Sequence, residues 1–134
     1  MPDTSGMESD AGIITKVSSD SVADAVDRLT ELIESRGMKV FTIIDHSGEA
    51  NAHGLELRDT KLVIFGSPTG GTPVMVASPL AALDLPLKVL VWDDDGHTSI
   101  SYTDPAVLSA RHHLTEDLAA RLAGIGPLTD ALVA

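Results

Sequence analysis

The pair with the clearest potential for chemistry is Asp45-His46, which follows an apolar, strand-like stretch. A carboxylate beside an imidazole can orient its tautomer, tune a general base or hold a metal. Adjacent residues in a strand point to opposite faces, so the two side chains converge only if the strand has already ended. Two interpretations stay open: a general base His46 oriented by Asp45, or a strand-ending Asp beside a partly exposed His.

A second candidate is the glycine- and proline-rich run from Gly66 to Pro73, which includes Pro68 and Thr72. Free backbone N–H groups ahead of a helix attract anions. The run has neither Gly-Lys-Ser/Thr nor Gly-x-Gly-x-x-Gly, and its prolines remove two donors. It indicates a structural turn or a generic anion or ligand loop, not a nucleotide loop.

Two further polar residues stand in apolar surroundings. Lys88 lies within a strand-like run, where a lysine is costly unless its amine reaches water or a carboxylate such as Asp84. Tyr102 and Asp104 lie at a predicted strand-to-helix junction, where capping explains most of the pattern. Lys88 and Tyr102 are therefore candidate ligand contacts. The plainer interpretations are a sheet-face lysine with an exposed head, and capping with a surface ion pair at the junction that holds Tyr102.

The chain offers little for a metal or a cofactor. It has no cysteine, which excludes disulfides, thiolate metal sites and cysteine nucleophiles. His46 and His53 would lie two turns apart on a helix, and His112-His113 would diverge on one. We expect no metal site and no cofactor.

The charge balance limits the partners. Nine basic residues against twenty acidic ones give a formal charge of −11, which repels nucleic acid and anionic membranes. No apolar run reaches the roughly 18 residues of a membrane span, and no signal peptide is evident. We expect a soluble, cytoplasmic protein without nucleic-acid or membrane partners.

The length of 134 residues fits one domain. Residues 1–11 are acidic and have no apolar period, so we predict a mobile tail followed by a single domain over residues 12–134. The predicted elements are a strand at 13–17, an amphipathic helix from Val22, strands at 38–44 and 61–65, a hairpin of 87–92 with 98–103, and helices after Asp104 and Thr115. The chain therefore opens β-α-β. Residues 68–86 hold too many prolines for one long helix or strand, and Thr72 is a candidate cap for a short helix with Pro73 at its first position.

Six short motifs occur in order between Ile13 and His112. Together they resemble the signature of the domain-of-unknown-function 302 family. They are Phe41-x-x-x-Asp45-His46, Gly54-Leu55-Glu56-Leu57-Arg58, Phe65-Gly66-x-Pro68, Gly71-Thr72-Pro73, Asp84-Leu85-Pro86-Leu87-Lys88 and Tyr102-x-Asp104-Pro105.

The resemblance implies a single two-layer α+β domain with a mainly antiparallel sheet backed by helices, and a homodimer. It brings no established reaction. The polar motif positions that would line any pocket are Asp45, His46, Arg58, Thr72, Lys88, Tyr102 and Asp104.

Three functions follow as hypotheses. The first is a dimeric binding or accessory protein whose cleft holds a small molecule or anion; it requires the side chains of Asp45, His46 and Lys88 to meet Gly66, Pro68, Thr72 and Pro73. The second is an enzyme using His46 as general base, with Asp45 as orienter and Lys88 or Tyr102 as electrostatic partner. The third is a protein-interaction module that uses the acidic surface or a sheet edge.

Overall fold

The structure is a computed structural model that describes the backbone of Met7–Glu8 and residues 11–134. Within that part of the chain, strands join in one sheet of order β1-β2-β6-β5-β4-β3, and each neighbouring pair is antiparallel. The prediction of an α+β fold with a mainly antiparallel sheet is confirmed, and its β-α-β opening corresponds to β2, α1 and β3. The strands are β1 (Met7–Glu8), β2 (Ile13–Ser18), β3 (Lys39–Asp45), β4 (Thr60–Gly66), β5 (Leu87–Asp94) and β6 (His97–Thr103).

The predicted mobile tail, residues 1–11, lies for the most part outside the described residues. Within it, the backbone of Met7–Glu8 pairs with Ile14 and Thr15 of β2. The sheet therefore continues by one short strand ahead of the residue where the domain was predicted to begin.

The remaining regular elements of the described chain are helices. Ser21 caps the first of them by accepting a hydrogen bond from the Asp24 N–H at 3.1 Å, and the predicted apolar stripe of that helix is buried at Val22, Leu29 and Ile33. The helices are α1 (Val22–Ser35), α2 (His46–Ala52), α3 (Pro68–Ala77), a 3₁₀ turn (Pro79–Leu83), α4 (Pro105–Arg111), α5 (Glu116–Ala120) and α6 (Ile125–Val133).

The hairpin predicted from residues 87–92 and 98–103, on either side of Asp93-Asp94-Asp95, is present as β5 and β6. Its two turn residues, Asp95 and Gly96, both have positive φ, at 54° and 90°, which is the geometry that matches the strand twist. The Asp93 carboxylate accepts a hydrogen bond from the Gly96 N–H at 2.9 Å. The carboxylate run is thus explained as a turn.

One face of the sheet is covered by α1 and α6, which pack against each other and against the strands. Alternate residues of the central strands point into this layer and, with the apolar faces of both helices, form the main core. Fully buried members of the core include Leu29, Ile33, Val63, Phe65, Val89, Val91, Ile100, Leu128 and Leu132.

Residues 68–86 form two short helical pieces instead of one element. Ser67 caps α3 by accepting from the Gly70 N–H at 3.1 Å, and Pro68 occupies the first turn. A cap at Thr72 with Pro73 first in the helix is therefore not what the structure shows, because Thr72 lies inside α3 and donates to the Pro68 carbonyl at 2.6 Å. Val74 of α3 packs with α4 and α5 in a second, smaller core.

The opposite face of the sheet is mainly apolar and partly buried across β3, β4 and β5, and polar but uncharged where β6 and β2 carry Ser99, Ser101 and Thr15. Its side chains come from five strands and include Ile44, Leu62, Ile64, Leu90 and Trp92. We call this the open sheet face.

Two further features belong to the open sheet face and its border. The Trp92 indole donates to the Ser101 hydroxyl at 3.0 Å, which lies 2.8 Å from the Thr15 hydroxyl, so a polar chain runs flat across β5, β6 and β2. Along β3, the edge of the described sheet, the pairing with β4 shifts register between Val40 and Thr42.

Candidate functional site

Asp45 and His46 lie where β3 passes into α2, and the carboxylate is occupied by local structure. It accepts hydrogen bonds from the Ser47 hydroxyl at 2.8 Å and from the Gly48 N–H at 2.9 Å, so Asp45 is the N-cap of α2. The Gly48 N–H first, then Ser47, hold the pKa of Asp45 below its usual value. His46 itself is exposed. The carboxylate therefore serves the helix, and an exposed imidazole lacks the enclosure that a tuned general base needs.

The sheet register separates this pair from the glycine-proline run. Asp45 is paired with Lys61 at one end of β4, while Lys39 is paired with Gly66 at the other end. Six residues at about 3.3 Å each put roughly 20 Å between the two ends. The predicted meeting of His46 with Gly66 and Pro68 in one cleft is wrong, because β3 and β4 run antiparallel and place the two motifs at opposite ends of the sheet.

The remaining predicted residues are also dispersed. Lys88 is exposed on β5, and its ammonium donates to the Pro86 carbonyl at 3.3 Å. Tyr102 is 5 % exposed and points to the helix-covered face, where the Lys16 ammonium lies 5.2 Å from its ring centre. Thr72 is exposed and Pro73 half-buried on α3. Of the polar motif positions, Tyr102 and Asp104 line one groove. Of the predicted ligand contacts, Gly66 and Pro68 line a separate cavity.

That cavity, called here the α3 cavity, has a volume of about 150 Å³ and lies at the end of the sheet where β3 begins and β4 ends. Its lining residues come from the end of β4, from α3, from the start of β3, from the segment before β5 and from the two residues that follow α5. The apolar side chains that line it are Met38, Phe41, Met75, Leu85, Pro86, Leu87 and Leu122. The Phe41 ring is 44 % exposed, unusual for a phenylalanine, because it forms one wall of the opening.

Positive charge gathers at the rim of the α3 cavity. The Arg121 side chain lines it, and the Lys39 ammonium lies 5.2 Å from the centre of the Phe41 ring. The N-terminus of α3, with Ser67, Gly70 and Gly71, borders the same space and adds a partial positive charge. In a chain of formal charge −11, this is a local field that favours an anionic group.

A partly exposed polar cluster lies at the end of α4, where the side chain of His112 is buried and that of Arg111 is exposed. The Asp84 carboxylate is 2.6 Å from His112 Nε2 and accepts two bonds from Arg111 at 3.1 and 3.2 Å. The His112 hydrogen bond, which outweighs partial burial, and then Arg111 hold the pKa of Asp84 below its usual value. Because all three residues are engaged with one another, the cluster joins α4 to the end of the 3₁₀ turn.

Sequence reasoning missed the residues that complete the α3 cavity. Arg121 and Leu122 follow α5, and Met38 precedes β3. None of the three lies in the glycine- and proline-rich run that begins at Gly66. It also missed Lys16, whose side chain is 2 % exposed. The signal that was available was Lys16 in the middle of an apolar strand, the same signal that was applied to Lys88.

Among residues 11–134, no three or more histidine, aspartate or glutamate side chains come close enough to hold a metal ion. Within the same part of the chain, no helix is both long and apolar enough to cross a membrane.

A family model described as a domain of unknown function, DUF302, matches residues 14–127. The chain belongs to the DUF302 family. A crystal structure of an uncharacterized conserved DUF302 protein from Bacillus stearothermophilus superposes with a TM-score of 0.78 at 20% identity, covering 91% of this chain and 95% of that one. The shared fold is therefore that of DUF302 proteins.

This DUF302 domain also matches part of longer proteins that are named as ion channels. It is 40% identical over 125 residues to "Fluoride-specific ion channel FluC 1" of Brucella suis, covering 90% of this chain and 49% of that protein. The same identity and length hold for "Fluoride-specific ion channel FluC 2" of Brucella melitensis, of which 46% is covered. The chain thus spans about half the length of these relatives.

Proposed function

We propose that this DUF302 domain is a binding module for a small, mainly apolar molecule that carries a negative charge. The observation that carries the proposal is the α3 cavity, which combines an apolar interior with Arg121 and a helix N-terminus at its rim. Ligand sites are typically apolar clefts with a few convergent polar groups. The proposal keeps the small molecule or anion expected from the sequence, and moves its site to one end of the sheet.

The cavity sets the size of the ligand. A closed apolar cavity of about 150 Å³ accommodates benzene, and the α3 cavity has about that volume. A ring or short branched chain of roughly six to eight non-hydrogen atoms would therefore fill it, with the charged group left at the rim near Arg121. Met38 and Met75 can adjust to the shape of such a ligand because their side chains are unbranched and flexible.

Benzoate is a suitable probe, with benzyl alcohol and benzylamine as neutral and cationic molecules of similar shape. We expect benzoate to give saturable amide shifts around residues 66–71 and 121–122 in two-dimensional NMR, and to bind more tightly than either analogue. The variant Arg121→Gln should weaken benzoate about three- to tenfold, because it removes one charged partner at an exposed site, and should leave benzyl alcohol unchanged.

The matched control is Arg58→Gln, since Arg58 is an exposed arginine paired with Asp94 at the other end of the sheet. It changes the net charge equally and should not alter benzoate binding. Equal affinity for benzoate and benzylamine, or shifts that do not saturate, would contradict the proposal.

The same proposal includes a homodimer joined through the open sheet face. Charged side chains on this face lie at its two ends, Lys88 and Asp94, while the middle holds apolar side chains and the uncharged polar chain of Trp92, Ser101 and Thr15. Two chains that each carry −11 repel least where their surfaces are uncharged, so a second copy fits this face better than the rest of the surface. Native mass spectrometry at neutral pH should show twice the 14.0 kDa chain mass; a monomer at tens of micromolar would exclude the dimer.

The relatives favour a second, compatible function: an accessory module working beside a membrane channel. Chains named fluoride-specific ion channels match this domain over about half their length. Because the described residues include no membrane-spanning helix, conduction in those proteins would belong to their other half. We infer that this domain is cytoplasmic and modulates such a channel.

Deleting the matching half from the Brucella suis relative tests this accessory function. In vesicles loaded with fluoride, the shortened channel should still conduct fluoride. Any change of fluoride flux that benzoate causes in the full-length channel should be lost. Complete loss of fluoride flux, with the protein intact in the membrane, would mean that the domain is part of the pore machinery instead.

A further inference from the structure

A groove of about 690 Å³ lies between the end of β6, α4, α5 and the start of α6, on the helix-covered side of the sheet. It shares no lining residue with the α3 cavity. One wall is made of small side chains, Ala119, Ala120 and Ala123, which is why the space between the helices stays open. We call it the Tyr102 groove.

Tyr102 is the feature that distinguishes this groove from a simple gap between helices. The residue is 5 % exposed, yet among residues 11–134 its hydroxyl has no hydrogen-bond partner. Buried polar side-chain atoms in that part of the chain are all satisfied, so the hydroxyl must keep access to the surface, and the surface that Tyr102 lines is the groove. A buried phenol normally finds a partner, and the groove is the side from which a ligand can reach this one.

The side chains that line the groove carry a net negative charge. Lining carboxylates are Asp104, Glu116 and Asp130, against the single cation Lys16. The Lys16 ammonium is already used, with bonds to Asp130 at 2.8 Å, to the Thr129 hydroxyl at 2.7 Å and to the Gly126 carbonyl at 3.1 Å. Asp130 is half exposed and Glu116 is exposed, so the charge that a ligand meets is negative.

We propose that the Tyr102 groove is a second ligand site, which takes a compact organic cation with a primary ammonium group. The Tyr102 hydroxyl oxygen accepts a hydrogen bond from the ammonium, the carboxylates of Glu116 and Asp130 balance its charge, and the alanine wall contacts its methylene groups. The groove has more than enough room for an alkyl chain with one or two ammonium groups, so charge and the Tyr102 hydroxyl, not volume, select the ligand. This site is independent of the α3 cavity, and either can fail without the other.

Putrescine is the probe for this site, and 1,4-butanediol is its uncharged counterpart of similar length. At constant ionic strength set with sodium chloride, putrescine should give saturable amide shifts near residues 102–106 and 116–123, while butanediol should give none. The variant Tyr102→Phe removes one oxygen from a folded core and should weaken putrescine about tenfold, as expected for a hydrogen bond to a charged group.

Two glutamate variants complete the test. Glu116→Gln should weaken putrescine about two- to fivefold, whereas Glu31→Gln, an equal charge change on the exposed side of α1, should have no effect. Shifts that do not saturate, equal shifts with sodium chloride alone, or unchanged affinity in Tyr102→Phe would overturn the proposal. Retained amide spectra for each variant show that a loss of binding is not a loss of fold.

Discussion

Replacing Phe65 with alanine is expected to lower the free energy of unfolding by about 3 to 5 kcal/mol. Phe65 is fully buried in β4, at the centre of the core between the sheet and α1. Truncation loses the transfer free energy of the ring and leaves a cavity that the close-packed valines of β4 and β5 cannot fill. Urea denaturation followed by far-UV circular dichroism measures the change.

The second phenylalanine of the chain provides the matched control. Phe41 is 44 % exposed, so Phe41→Ala should cost under about 1 kcal/mol, since surface substitutions have small effects. It should, however, weaken both benzoate and benzyl alcohol, because it removes a wall of the α3 cavity. Equal destabilisation by the two substitutions would mean that the layer between sheet and helices is not the main core.

Replacing Asp130 with alanine is expected to destabilise the domain by about 2 to 3 kcal/mol. The substitution leaves the Lys16 ammonium, whose side chain is 2 % exposed, without its charged partner, and an unpaired buried charge is costly. This is less than the about 3 to 5 kcal/mol typical of breaking a buried ion pair, because the Thr129 hydroxyl and the Gly126 carbonyl still accept hydrogen bonds from the ammonium. The same urea titration measures it.

A double variant separates this explanation from a loss of packing. Adding Lys16→Met to Asp130→Ala removes the stranded charge and keeps most of the side-chain volume. The Thr129 hydroxyl still donates to the carbonyls of Ile125 and Gly126, so no polar atom is abandoned. We expect the double variant to recover most of the lost stability. A double variant as unstable as the sum of the single ones would show that the pair is not coupled.

The sequence predicted correctly those elements whose residue pattern depends only on contacts within the element. The apolar stripe of α1 and the Asp-Gly turn between β5 and β6 depend on contacts within a few residues, and both are present in the structure. The segment from residue 68 to 86 was less readable, because its prolines exclude long elements but do not choose between short ones. There the cap at Ser67, and not at Thr72, determined where α3 begins.

The site depended on relations that a single chain does not display. Asp45 and Gly66 border strands that are neighbours in the sheet, but only the antiparallel register reveals that they lie at opposite ends. The two lysines show the same limit: Lys16 and Lys88 both interrupt apolar strands, and only the packing of α6 against β2 shows that Lys16 is the buried one. Ligand sites built from distant segments, such as Arg121 beside Phe41, follow from tertiary structure alone.

The register shift between Val40 and Thr42 has a consequence for how molecules of this protein can aggregate. An uninterrupted outer strand offers a template on which further chains can add without limit, as in amyloid fibres. The irregularity breaks the template near the start of β3, and Lys39 places a charge beside it. Polymerisation along that border is thereby discouraged, so crowding should not produce fibrils that grow from β3.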